Sequence, residues 1–303
     1  MTRETSTVRY RELYGFTHGD SKRVLHCNVG RGVDLFVTGV PPGRRLPLRA
    51  YHAAIIFKNG VPVGYFEGLS LFERMESGFN FYYTFREGET AWIYARTLNV
   101  FRHLLGVTAF ALDPYQIGHE NEEGIESGAF WFYRKLGFRP TSKRLLELAV
   151  AEERKIMARS SYRTPRRVLR QLATGSMIFE LDNSKGGDWD RFQIRNVGLK
   201  VARRMGAEFD GEAERIRADS LKAVVTALNI RAAGLRKMES SVLSDFALPL
   251  AMISDLNRWA DPEKQAVVQI IRAKSGADEV RYLKLLQKHS RLRAELIKLG
   301  SQA

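Results

Sequence analysis

Residues 127–140 read Ser-Gly-Ala-Phe-Trp-Phe-Tyr-Arg-Lys-Leu-Gly-Phe-Arg-Pro. The spacing predicts a short helix, capped by Ser127 and closed by Gly137 in the left-handed conformation that other side chains resist. Phe130, Tyr133 and Leu136 recur every three residues and form one apolar face. Arg134 and Lys135 lie on another side, near the end where the helix dipole favours cations. Phe138 carries the chain onward, and Pro140 ends the segment.

Upstream, residues 107–113 read as a strand stopped by Pro114, and 91–105 as a helix ended by Gly106, with Ile93, Leu98, Phe101 and Leu105 on its apolar side. Before them stand three strand patterns: 50–58, 61–69 and 78–85. Asn59-Gly60 between the first two is a two-residue hairpin signal. In the third, Phe79, Phe81, Tyr83 and Phe85 alternate with Asn80, Tyr82 and Thr84, the pattern of a strand buried on both faces. The order is meander, loop, helix, strand, helix. An earlier strand is expected at 33–40, after an irregular polar start over 1–24.

Ala129, Tyr133, Lys135, Leu136, Gly137 and Phe138, set in that order of elements, resemble the GNAT superfamily of N-acetyltransferases over residues 50–140. The resemblance implies an α+β fold, a mixed sheet flanked by helices. It also implies an acyl-CoA co-substrate, acetyl-CoA first, and an amine acceptor that attacks the thioester directly. The family places a Gln/Arg-x-x-Gly-x-Gly/Ala turn after the long strand, where amides at a helix N-terminus hold the CoA pyrophosphate. Here that turn is Arg86-Glu87-Gly88-Glu89-Thr90-Ala91, with Glu89 at the fourth position and glycine one place early. Tyr83, Thr84, Phe85, Arg86, Gly88, Thr90 and Ala91 are the residues implied for the cofactor, with backbone N–H groups near 83–85 polarising the thioester carbonyl. Tyr133 is implied as general acid to the thiolate. Glu76 is the candidate base, and Glu67 competes with it. Asn121 matches the family's asparagine in type but not in position.

Downstream, two helices are expected at 142–158 and from 164, the second basic through Arg166, Arg167 and Arg170, before a last strand at 176–181. Five helical patterns follow: 189–204, 211–227, 235–259, 262–273 and 278–299, with Pro249 set to kink or split the third. The domains are expected at 1–185 (core 50–140, helical insertion 142–173) and 186–303, an all-helical C-terminal region. Residues 1–140 hold 17 Lys+Arg against 14 Asp+Glu, and the rest hold 31 against 20, so the basic excess lies downstream. Such a field draws anions. A catalytically silent binding protein, touching nucleic acid or another acidic partner through its basic half, is therefore the alternative to the enzyme. Arg163 and the arginines of the second inserted helix are phosphate-binding candidates or a solvated face. A single Cys27 excludes an internal disulfide and a cysteine-only zinc site, the six histidines show no metal spacing, and no metal is expected. Cys27 beside His26 reads as a small buried side chain or a thiol nucleophile. The single cysteine with no signal-peptide pattern points to a reducing cytoplasm, and with no apolar run long enough to span a bilayer, no membrane contact is expected.

Overall fold

In the computed structural model, residues 14–82, 85, 88–182, 186–231 and 234–301 are described. Tyr83, Thr84 and Arg86 fall outside them. The chain forms two compact units, one of residues 1–39 and 51–190, the other of 40–50 and 191–303. The proline-broken basic segment after the second strand thus belongs with the helices.

The first unit contains α1 (Tyr14–Thr17), β1 (Val24–Gly30), β2 (Val33–Gly39), β3 (Ala50–Lys58), β4 (Val61–Leu71) and β5 (Arg74–Phe81). After these come α2 (Thr90–Leu105), β6 (Ala109–Leu112), α3 (Glu122–Glu126), α4 (Ala129–Lys135), β7 (Arg139–Pro140), α5 (Lys143–Ala158), α6 (Arg166–Leu172) and β8 (Met177–Glu180). One eight-stranded sheet runs β1-β2-β3-β4-β5-β6-β8-β7. Its pairs are antiparallel along the meander, while β5 and β6 run parallel.

Turn chemistry sets the early strands. Asn59 and Gly60 both take positive φ, 50° and 80°, as their hairpin requires. Arg31 and Gly32 do the same, at 53° and 67°, and make a β1–β2 hairpin inside a stretch whose alternation gave no strand signal. β5 begins at Arg74, four residues before its expected start, because the β4–β5 turn is built on Phe72 at φ 53°. Phe72 is fully buried, so apolar burial offsets a backbone conformation that a large side chain disfavours. β5 is buried on alternate positions, not on both faces: Met75, Ser77, Phe79 and Phe81 face α2, while Gly78 and Asn80 stay partly open.

The core on the α2 side is aromatic. Phe66 stacks on Phe101 with centroids 4.7 Å apart, and Tyr94 packs at 4.6 Å from Phe79. The buried hydroxyl of Tyr94 meets Ser77 Oγ at 3.1 Å, which satisfies both. Gly106 (φ 72°) and Gly137 (φ 99°) end their helices in the left-handed region, as expected. Ser127 does not cap α4. It ends α3, and Gly128 at φ 69° opens α4. Arg139–Pro140 already pairs as an edge strand, and β8 inserts between it and β6.

The second unit holds α7 (Ile194–Phe209), α8 (Ala213–Ala227), α9 (Lys237–Leu250), α10 (Asp261–Ser275), α11 (Glu279–Gln287) and α12 (Ser290–Ser301). Of the two outcomes expected at Pro249, splitting is the one found: α9 stops at Leu250 and a separate 3-10 turn follows at Leu256–Arg258. The expected helix over 278–299 is two helices. At the break His289, 6% exposed, accepts the Leu292 amide on Nδ1 (3.2 Å) and meets the Glu263 carbonyl through Nε2 (3.0 Å). Residues 40–50 are held by a buried polar cluster. Lys274 Nζ lies 2.5 Å from Glu279 and 2.9 Å from the Arg49 carbonyl. Arg45 donates to the carbonyls of Lys274 and Gly276, each at 2.6 Å, and the Tyr282 hydroxyl donates to the Leu48 carbonyl. No helix among the described residues is long and apolar enough to cross a membrane.

Candidate functional site

The parallel pairing of β5 with β6 stops early. It joins Arg74–Glu76 to Ala109–Ala111, yet β5 continues to Phe81. Where the strands part, a cleft of about 550 Å³ opens, walled by β4, β5, the start of α2, α3 and α4. Tyr65, Glu67, Asn80, Thr90, Phe132 and Tyr133 line it.

Backbone donors face this cleft. Tyr82 N donates to Val63 O at 2.9 Å, on the β4 side. Amides alternate along an antiparallel ladder, so those of Phe79 and Phe81 point the other way. Gln116 Oε1 accepts the Phe79 amide at 3.3 Å, and nothing among the described residues accepts that of Phe81. Among the described residues these two amides are the ones on the cleft side of β5; Tyr83 and Thr84 of the expected 83–85 lie outside the described residues. Phe85 lies past the strand and spends its amide on Tyr82 O at 2.8 Å.

Tyr133 lines the cleft from α4, is 4% exposed and packs edge-on against Tyr94 at 5.5 Å. No described group hydrogen-bonds its hydroxyl, and burial pushes that hydroxyl well above the usual tyrosine value of 10.0. It is a phenol that keeps its proton at neutral pH.

Of the two candidate carboxylates, the cleft takes Glu67. Glu67 stands opposite Gly78 in the β4–β5 ladder, accepts the Tyr51 hydroxyl and is also held by the Gly15 amide. Burial raises its carboxyl from the ordinary 4.5, and these hydrogen bonds oppose that rise without cancelling it. No cation pairs with it among the described residues. Glu76 is not part of the cleft lining and lies 3.6 Å from Arg74. Ladder parity was available in the sequence; the early start of β5, which sets the register, was not.

At the start of α2, Thr90 faces the cleft while Ala91 and Gly88 are exposed. Gly88 has φ 79° and open space where a side chain would go. Glu89 precedes the helix, and its side chain caps nothing. It pairs with Lys58 at 2.5 Å and Arg31 at 3.3 Å, and the two cations hold its carboxyl below the usual range. Arg31 and Arg96 both stack on Trp92, at 4.6 and 5.4 Å.

The other candidates resolve into structure. Asn121 lines the cleft, but its side chain accepts the Gly124 amide and donates to the Tyr115 carbonyl. Arg170 forms a two-pronged pair with Glu122 at 3.0 Å, Arg166 reaches Glu126 at 3.4 Å, and Arg163 binds the carbonyls of Ser160 and Tyr162. Burial pushes the Cys27 thiol up, against thiolate chemistry, and His26 pairs with Asp34. Among the described residues no group of three or more His, Cys, Asp and Glu is placed to hold a metal.

No family model matches the chain, and no curated protein or solved structure matches it at a significant level.

Proposed function

We propose that the chain is a GNAT-like acyltransferase that moves an acyl group, acetyl first, from an acyl-CoA thioester to an amine. The observation that carries this reading is the parting of parallel β5 and β6, with a proton-holding phenol on one wall and, on another, a carboxylate that no described cation pairs with. The residues present suit the arm of acyl-CoA. The cleft reaches Thr90 in the first turn of α2, where amides lack a side-chain cap, and Gly88 leaves room for close approach. Bound there, acyl-CoA supplies an activated carbonyl with a thiolate leaving group.

The protein's own groups then do three things. The Phe81 amide, joined by that of Phe79 once Gln116 swings off, donates to the carbonyl oxygen as charge gathers on it. Glu67 takes one proton from the incoming ammonium, so that nitrogen arrives with a free lone pair. The nitrogen bonds to the carbonyl carbon as the carbon–sulfur bond breaks, and Tyr133 gives its proton to sulfur. Tyr133 regains a proton from the newly acylated nitrogen, and Glu67 returns its own to solvent, which closes the balance at one proton released. Calorimetric titration with acetyl-CoA tests the reading. Saturable binding at micromolar ligand is expected, and its absence at millimolar ligand would remove the enzyme.

The second reading is a binding protein that has given up acyl transfer. Glu89 at the entrance to α2 favours it, as does the charge of the helical unit, 24 Lys+Arg against 13 Asp+Glu over 40–50 and 191–303. Nucleic-acid affinity that falls steeply with salt, without acetyl-CoA binding, would select it.

A further inference from the structure

The chain carries 48 Lys+Arg and a net charge of +14, yet no described residue lining the cleft is a lysine or arginine. Its ionisable lining is Glu67, Glu123 and tyrosines. A pocket with a negative lining, cut into a positive protein, attracts the opposite sign from the one its surface attracts. Glu67 is placed to use that field. Its carboxylate is pinned by Tyr51 and sits beside Gly78, where an added Cβ would meet only Gln116 and Glu67 at 3.7 Å or more. The wall there is stepped back by one side chain. Tyr65, whose hydroxyl takes a 3.4 Å hydrogen bond from Asn80, adds a ring beside the carboxylate, and an ammonium is attracted to such a face.

Resting on the acyltransferase reading for its chemistry, we infer that the acceptor is an alkylammonium cation drawn in by Glu67 beneath Tyr65, and that amines bearing a neighbouring carboxylate or phosphate are rejected. Alkylamines are almost wholly protonated at neutral pH. A site that only tolerated the neutral amine would wait on a minor species. A site that binds the cation and holds its base in contact with it gathers the major one. An acidic acceptor, which the basic surface would otherwise recruit, meets repulsion in a medium of lowered dielectric.

The test needs no acyl-CoA. Putrescine and γ-aminobutyrate, equal in length and differing in one charged end, are titrated calorimetrically into the full chain. Putrescine is expected to bind about tenfold tighter or better. Glu67→Gln is expected to bring the two together. Gly78→Leu, which fills the recess and leaves Glu67 in place, is expected to weaken putrescine by a similar factor, with circular dichroism confirming that both variants fold. Equal binding of the two ligands to the wild-type protein, or putrescine binding unchanged in Glu67→Gln, overturns the inference. A lysine-containing peptide separates the sources: tighter binding than putrescine assigns a protein side chain, weaker binding a free polyamine. Acetyl-CoA titration reports separately on acyl transfer, so the failure of one reading is not mistaken for the failure of the other.

Discussion

Glu67 and Glu279 are the same side chain, largely withdrawn from water in different units, and they are treated oppositely. Glu279 is enclosed with two cations: Lys274 at 2.5 Å and Arg45 at 3.7 Å, all three side chains 4% exposed or less. Glu67 has a phenol and an amide for company and no described cation. Charge answered by charge in a closed space fixes backbone, here by tying residues 40–50 to α10 and α11. A carboxylate satisfied by neutral donors at the wall of a cleft keeps an affinity for a proton or a cation from outside. The lesson is that burial alone does not mark a reactive carboxylate. The sign of its nearest neighbours does.

The contrast can be broken hardest at the closed end. Lys274→Met leaves Glu279 buried against Arg45 alone and is expected to cost about 3–5 kcal/mol in urea unfolding. Pairing it with Glu279→Leu should recover only part of that, because the Arg45 guanidinium, 4% exposed, then loses its carboxylate. At the open end, Tyr133→Phe removes the proposed proton donor and keeps the ring. We expect the turnover number to fall about 100-fold or more, with acetyl-CoA affinity within about twofold of wild type.

A smaller effect concerns the stability of Glu67 itself. Its folded-state carboxyl holds a proton more tightly than the unfolded value of 4.5, so ionisation costs stability. The wild-type protein should lose stability as pH rises from below 4.5 through the raised value, relative to Glu67→Gln, which lacks that slope. At neutral pH the variant should be the more stable of the two, read from denaturation midpoints. The smallest effect belongs to Glu89, a half-buried carboxylate with two cations. Glu89→Gln frees Lys58 and Arg31 and removes a negative charge from the start of α2. Acetyl-CoA should bind about threefold tighter by calorimetry, since the helix end favours anions.

The legible parts of this fold are those written in local chemistry. Asn59-Gly60, Gly106 and Gly137 each need a backbone angle that few residues supply, and each stands where its turn was expected. The β4–β5 turn escaped notice because Phe72 adopts such an angle without being glycine or asparagine; only the burial of its ring, a tertiary fact, makes this tolerable. That one turn shifted β5 by four residues and with it the placement of amides and carboxylates, which is why Glu67 rather than Glu76 stands in the cleft. Tyr133 was readable because a helix motif announces itself in sequence. Which of the two candidate carboxylates lines the cleft was not, since it depends on which strand lies opposite which. The break at His289 was equally hidden: an imidazole that caps one helix and touches the next carries no periodic signature.

The attachment of residues 40–50 to the helical unit bears on how the protein is made. Arg45 and Leu48 emerge from the ribosome 229 or more residues ahead of the carbonyls and the tyrosine that receive them. Until that distant segment is synthesised, the guanidinium keeps its hydration and Leu48 stays wet. Shortening the gene after codon 190 would leave this early excursion without its anchorage for good, so a clean excision of either half calls for two deletions rather than one.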